Sequence, residues 1–150
     1  MTVYFLGGGN MAAAIVAGMT GQGGWQIHVA NRGAEKREKL ARQFGVAVSE
    51  KLPPLGADDI LVLAVKPQDM QAALVGVQAN GALVLSVAAG LSVATLRRYL
   101  GGTRCIIRII PNTPGRTGLR VAGMFAADGA DEADRHAADA LLRTNGSTAR

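Results

Sequence analysis

Three features of this 150-residue chain, the last a pair of separate stretches, combine residue types and spacings that can do chemistry. The first is Gly7-x-Gly9-x-x-Ala12, which sets small residues at the spacing of a turn that wraps a pyrophosphate. In such a turn Gly7 makes the tight bend, Gly9 lets the backbone approach the phosphates, and Ala12 lets the next helix pack close to the preceding strand. Free N–H groups at the positive end of that helix then complete a site for anions. Gly-rich spacing also occurs in plain structural turns. Here it follows the apolar run Thr2 to Leu6 and precedes the helix-forming run Ala13 to Met19, which is the context a dinucleotide turn needs.

The second stretch is Asn31-Arg32, about twenty residues beyond the turn. Units that bind NAD usually carry an acidic residue there for the ribose hydroxyls, and a 2′-phosphate would repel that charge. A neutral amide beside a guanidinium, with Lys36 one turn further on, suits a phosphate instead. The same residues also read as a helix cap and a solvated surface charge. The third is a pair of strand ends. Lys66, after Ala64-Val65 and before Pro67, falls where open α/β sheets hold ligands, and either donates to a phosphate or ribose or solvates its strand end. Pro111-Asn112-Thr113-Pro114 is a stiff polar loop that reads equally as a ligand border and as a structural turn.

Other candidates point to packing. His28 and His136 lack a Ser, Cys or second His at useful spacing, so neither a triad nor a metal site is expected. Cys105 in an apolar run reads as a core residue, and Trp25 as packing at a strand entrance.

The elements that must position these groups follow from pattern. Thr2–Leu6, Gln26–Ala30, a short stretch at Val46–Val48, Asp59–Val65, Ala82–Val87, Arg104–Ile110 and Leu119–Ala127 read as strands, with Asp59–Val65 the most continuous apolar run. Helices are expected over Ala13–Met19, Ala34–Phe44 (closed by Gly45), from Pro67 through Leu74, from an N-cap at Ser92 through Tyr99, and over Asp131–Arg143, with Gly21–Gly24 as a loop. Alternation at this spacing predicts one α/β domain over residues 1–150, a Rossmann-like, doubly wound and mostly parallel sheet with helices on both faces.

Composition narrows the partners. The formal charge of +5 comes mostly from twelve scattered arginines, and with three Phe, two Tyr and one Trp there is little to stack on bases. An anionic small molecule is expected, not nucleic acid. No apolar stretch is long enough to cross a bilayer, no signal peptide is read, and a single cysteine suits a reducing compartment, so a soluble cytoplasmic protein is expected.

Four stretches in order, Phe5-Leu-Gly-Gly-Gly-Asn-Met-Ala12, Leu63-Ala-Val-Lys-Pro67, Ser86-Val-Ala-Ala-Gly90 and Arg108-Ile-Ile-Pro-Asn-Thr-Pro114, resemble the amino-terminal domain of pyrroline-5-carboxylate reductase along nearly the whole chain. The resemblance implies NADPH-dependent reduction of 1-pyrroline-5-carboxylate to L-proline, with NADH a weaker alternative. It implies that Gly7, Gly9, Asn10 and Met11, with Leu6 and Gly8 in the same turn, hold the pyrophosphate, and that Asn31 and Arg32 hold the 2′-phosphate. Ala64, Val65, Lys66 and Pro67 would line the coenzyme, and Ala88, Ala89, Gly90, Asn112 and Thr113 would border the nicotinamide and substrate. Positioning supplies most of the rate in such a hydride transfer, in keeping with the lack of a triad.

Members of that family continue into a carboxy-terminal helical domain that forms the homo-oligomer and completes the substrate site. This sequence stops at Arg150, so it is expected to be the coenzyme-binding half, as a fragment or a truncated product, with oligomerisation and turnover not expected of it alone. Two other readings stay open, a stand-alone NADP(H)-binding module and an oxidoreductase resembling the deazaflavin-dependent NADP reductases. The Pro-Asn-Thr-Pro loop argues against the latter.

Overall fold

The computed structural model describes residues 2–87, 92–100, 105–111 and 119–125. Among the described residues, seven strands, β1 (Val3–Leu6), β2 (Ile27–Ala30), β3 (Ala47–Ser49), β4 (Ile60–Leu63), β5 (Leu83–Ser86), β6 (Cys105–Pro111) and β7 (Leu119–Phe125), form one sheet in the order β3-β2-β1-β4-β5-β6-β7. The first six are parallel, and β7 closes the edge antiparallel to β6, with a register shift at Arg108/Ile109. This is a doubly wound order, in which the chain runs outward from β1 to β3 and then crosses back to β4. The topological switch point lies between β1 and β4, where such sheets bind ligands outside their carboxyl ends.

Alternation along the strands divides the core into two layers. Val3, Phe5, Val29, Ile60, Val62, Leu83, Leu85 and Ile107 pack with Ala12, Ile15, Val16 and Met19 of helix α1 (Asn10–Gln22) and Leu40 of α2 (Ala34–Phe44). Leu61, Leu63, Val84 and Ile106 point to the opposite face, against Met70 and Leu74 of α3 (Pro67–Leu74) and Leu96 and Leu100 of α4 (Val93–Leu100). Every residue of β4 and β5 is buried, as a central parallel strand covered on both faces requires.

Several boundaries move from those expected. α1 begins at Asn10 and runs to Gln22, so Gly21 is helical; the stop is Gly23, whose N–H bonds the Met19 carbonyl at 2.9 Å. A glycine inside a helix costs about 1 kcal/mol, which the buried face of α1 offsets. β4 is shorter than the expected Asp59–Val65 at both ends; at the first, the Asp59 carboxylate accepts from the N–H groups of Thr2 (2.9 Å) and Gly56 (2.8 Å). α2 ends at Gly45 as expected. Pro67 occupies the first turn of α3, and the Ser92 hydroxyl caps α4 by accepting from the Thr95 N–H at 3.1 Å. The helix expected over Asp131–Arg143 lies outside the described residues.

Candidate coenzyme-binding site at the switch point

Gly7 leaves β1 at the switch point, where its N–H donates to the Ala30 carbonyl at 2.8 Å, while the Ala64 N–H donates to the Leu6 carbonyl at 2.9 Å. The turn is thereby stitched to the ends of both flanking strands. Gly7 has φ +101°, and a Cβ added there would meet Val65 Cγ1 at 2.9 Å and the Ala64 backbone at 3.0 Å. Gly9 differs in both respects: its φ is −75°, and a Cβ there would meet nothing within 4 Å. Protein closes in on Gly7, while the space over Gly9 stands open. Gly9 is also the N-cap of α1, with no side-chain cap and no acidic residue in the first turn. The first intrahelical bond is from the Ala13 N–H to the Gly9 carbonyl, so the N–H groups of Asn10, Met11 and Ala12 have no intrahelical acceptor, an opening that suits an anion.

A dinucleotide pyrophosphate fits this cradle. Leu6 offers only backbone, since its side chain is buried in the core. The side chains of Asn10 and Met11 lie outside the described residues.

On the β2 side, Asn31 is committed to the protein more than its sequence context suggested. Its Oδ1 accepts from the Gly8 N–H at 3.0 Å, and its Nδ2 donates to the Gly33 carbonyl at 3.1 Å. The N-cap of α2 is Gly33, so Asn31 is not that helix's side-chain cap. A Cβ at Gly8 would lie 3.1 Å from Leu40 Cδ1 and 3.4 Å from Asn31 Cγ, so those side chains would have to give by a few tenths of an ångström. Arg32 is exposed beside this loop, with no side-chain partner among the described residues. A groove of about 410 Å³ between α1 and α2 opens at Gly8 and Gly9 and is lined by Lys36 and Lys39 of α2.

Sequence reasoning missed Arg37. Its Nη1 donates to the carbonyls of Asn31 at 2.8 Å and Arg32 at 2.9 Å. The signal was available in principle, because a side chain in the second turn of a helix leans toward the N-terminus and reaches the loop before it.

On the β4 side, Ala64 and Val65 are half-buried against the turn and Lys66 is exposed as the N-cap residue of α3. Ala88, Ala89, Gly90, Asn112 and Thr113 lie outside the described residues. His28 is structural. The Ser49 hydroxyl gives its one proton to the Lys51 carbonyl at 2.6 Å and therefore accepts from His28 Nε2–H at 2.7 Å. Burial pushes the His28 imidazole below its ordinary value of 6.5. Trp25 packs against the α1 layer of the core.

The family described as NADP oxidoreductase, coenzyme F420-dependent, matches residues 2–90, which hold the glycine turn, the Asn31-Arg32 loop and the Lys66 strand end. The chain belongs to this family. Among curated members of known name, it is 39% identical over 130 residues to the pyrroline-5-carboxylate reductase of Pseudomonas aeruginosa, covering 83% of this chain and 48% of that protein. It is 38% identical over 152 residues to the Haemophilus influenzae reductase, covering 97% and 56%. The solved pyrroline-5-carboxylate reductase of Coxiella burnetii superposes with a TM-score of 0.78 at 28% identity, over 95% of this chain and 56% of that one. The resemblance read from the four motifs is borne out. The chain spans about half the length of the curated relatives it matches. Among the described residues, no helix is long and apolar enough to cross a membrane.

Proposed function

We propose that this chain is the coenzyme-binding half of an NADPH-dependent pyrroline-5-carboxylate reductase, acting in the cytoplasm on a small-molecule substrate. The observation that carries the reading is the alignment of nearly the whole chain with reductases of that name. The geometry supports it through the open cradle at Gly9 beside an uncapped helix end.

When bound, NADPH supplies a hydride to the carbon of a protonated cyclic imine. The chain's own residues hold and orient. Backbone N–H groups at the start of α1 bind the pyrophosphate, and Gly9 admits it. Arg32, with Lys36 nearby, attracts the 2′-phosphate, while the Asn31 amide keeps the loop against the turn. Ala64 to Pro67 border the coenzyme along the β4 side, and Ala88 to Gly90, Asn112 and Thr113 border the nicotinamide and imine. The sheet end thus fixes the approach of two reactants, the contribution that placement alone can make to such a transfer. The helical domain of longer relatives is proposed to complete the substrate site and the homo-oligomer.

The test is titration of the purified chain with NADPH and, separately, NADH. Each charge-assisted hydrogen bond to the 2′-phosphate that NADH lacks costs about 1.5–3 kcal/mol, so NADPH should bind roughly 10- to 150-fold more tightly. Equal affinities would remove Asn31-Arg32 from the site. NADPH binding without turnover of pyrroline-5-carboxylate, even after a helical domain from a relative is joined to the chain, would favour a coenzyme-binding module without catalysis.

A further inference from the structure

Five cations lie between the end of β2 and the end of α2, namely Arg32, Lys36, Arg37, Lys39 and Arg42, and the structure treats one of them differently. Arg32, Lys36, Lys39 and Arg42 are exposed, whereas Arg37 is half-buried with Nη1 bonded to the carbonyls of Asn31 and Arg32. A guanidinium nitrogen turned inward onto two successive carbonyls fixes the plane of the peptides that carry the Asn31 and Arg32 side chains. Asn31 in turn grips both sides of the loop, through Gly8 N–H on the glycine turn and the Gly33 carbonyl at the head of α2. The hydrogen bonds thus run without a break from α2 through the β2 loop to the glycine turn, joining the two places where NADPH carries phosphate.

We infer that Arg37 is the positioning residue for coenzyme selection: it does not touch the 2′-phosphate but holds the Asn31-Arg32 loop so that Arg32 meets it. The inference rests on the NADPH reading above. Backbone hydrogen bonds from a charged donor are among the stronger ones in a protein, and holding a loop in its binding conformation before the ligand arrives removes an ordering cost from binding. NADH binds the same glycine turn but has no group for Arg32. Loosening the loop therefore weakens NADPH more than NADH.

The experiment measures the ratio of NADH to NADPH dissociation constants for the full chain and for Arg37→Gln, Arg37→Lys, Arg32→Ala and the Arg32→Ala/Arg37→Gln double variant. Arg42→Gln, an exposed change at the other end of α2, is the control. Partial unfolding weakens both coenzymes equally and cancels from the ratio. Arg37→Gln is expected to lower the ratio at least fivefold and Arg37→Lys to restore half or more of that loss on a logarithmic scale. In the Arg32→Ala background, Arg37→Gln should change the ratio less than twofold, because Arg37 acts through Arg32. An unchanged ratio in Arg37→Gln, or equal loss of both coenzymes, overturns the inference and leaves the NADPH reading standing. Effects of Arg32→Ala and Arg37→Gln that multiply would make Arg37 an independent phosphate ligand, which also overturns it. If Arg37→Gln does not fold, Arg37→Lys carries the test, alone and combined with Arg32→Ala: a ratio that falls in the parent background but changes less than twofold in the Arg32→Ala background supports the inference, and an unchanged ratio or effects that multiply overturn it. A parent chain that binds the two coenzymes equally would sink the NADPH reading, and this inference with it.

Discussion

At Gly7 the backbone lies at φ +101° and any Cβ would press on Val65 and the Ala64 backbone, whereas Gly9 has an ordinary φ and empty space around it. The fold therefore demands a glycine at position 7 and makes no such demand at position 9, where the proposed ligand would. Gly7→Ala is expected to destabilise the chain by about 1–3 kcal/mol from backbone conformation alone, with the clash added. Gly9→Ala should leave stability within about 0.5 kcal/mol of the parent. Its cost appears on binding, where a methyl pressed against the pyrophosphate loses about 1–3 kcal/mol, or roughly 5- to 150-fold in NADPH affinity. Urea denaturation and coenzyme titration of the two variants check this; a Gly9→Ala chain that binds NADPH as well as the parent would remove Gly9 from the phosphate site.

The next scale is how elements hold one another. β2 and β3 stand at one end of the sheet, and His28 and Ser49 join them beyond their backbone ladder. The imidazole also packs against the Tyr4 ring of β1, with centroids 5.4 Å apart. Because burial lowers the folded-state pKa of His28, the unfolded chain binds a proton more readily at mildly acidic pH. The stability that His28 contributes is thus complete above its unfolded value near 6.5. It falls as pH drops below that value and stops changing below the lower folded pKa. The expected observation is a urea midpoint that rises with pH through this window, by more in the parent chain than in His28→Gln, since the difference isolates His28 from the other titrating groups. Identical pH profiles would show that burial does not lower the His28 pKa on folding. Helix ends belong to this scale too: Ser92 supplies a side-chain cap for α4, whereas α1 is left uncapped at Gly9, where the ligand is proposed to take the place of a cap.

Across the whole molecule, a formal charge of +5 adds a long-range attraction to the local contacts. NADPH carries an extra phosphate relative to NADH, so its affinity should fall more steeply with salt, the screening length being about 10 Å at 0.1 M ionic strength. Titrations at low and moderate salt should therefore show the NADPH preference narrowing as salt rises. Parallel salt slopes for the two coenzymes would mean that the 2′-phosphate sits away from the Arg32 and Lys36 side of the molecule. The strand order matters at the same scale, because it places the β1 turn against the end of β4, with more than fifty residues of sequence between Gly7 and Val65.

Much of the fold was legible along the chain. Apolar runs marked β1, β4 and β5 because a strand covered on both faces needs no polar side, and Pro67, Ser92 and Gly45 marked helix ends because each acts within one turn of its own position. The Gly7-x-Gly9-x-x-Ala12 turn between β1 and α1 was equally local. What local pattern could not supply was partnership. Asn31 looked like a free phosphate contact or a helix cap until the fold brought it to Gly8, 23 residues away in sequence, and its amide was taken up by the turn. Arg37 looked like one more surface charge on a basic helix until α2 docked and turned its guanidinium onto the loop carbonyls. Sequence determined which residues can bend, cap, pack or carry charge, since those properties belong to the residue and its near neighbours. Tertiary structure decided which of the charges and amides are spent holding the site together and which remain for a ligand, because hydrogen bonds are claimed by whatever group the fold brings within reach.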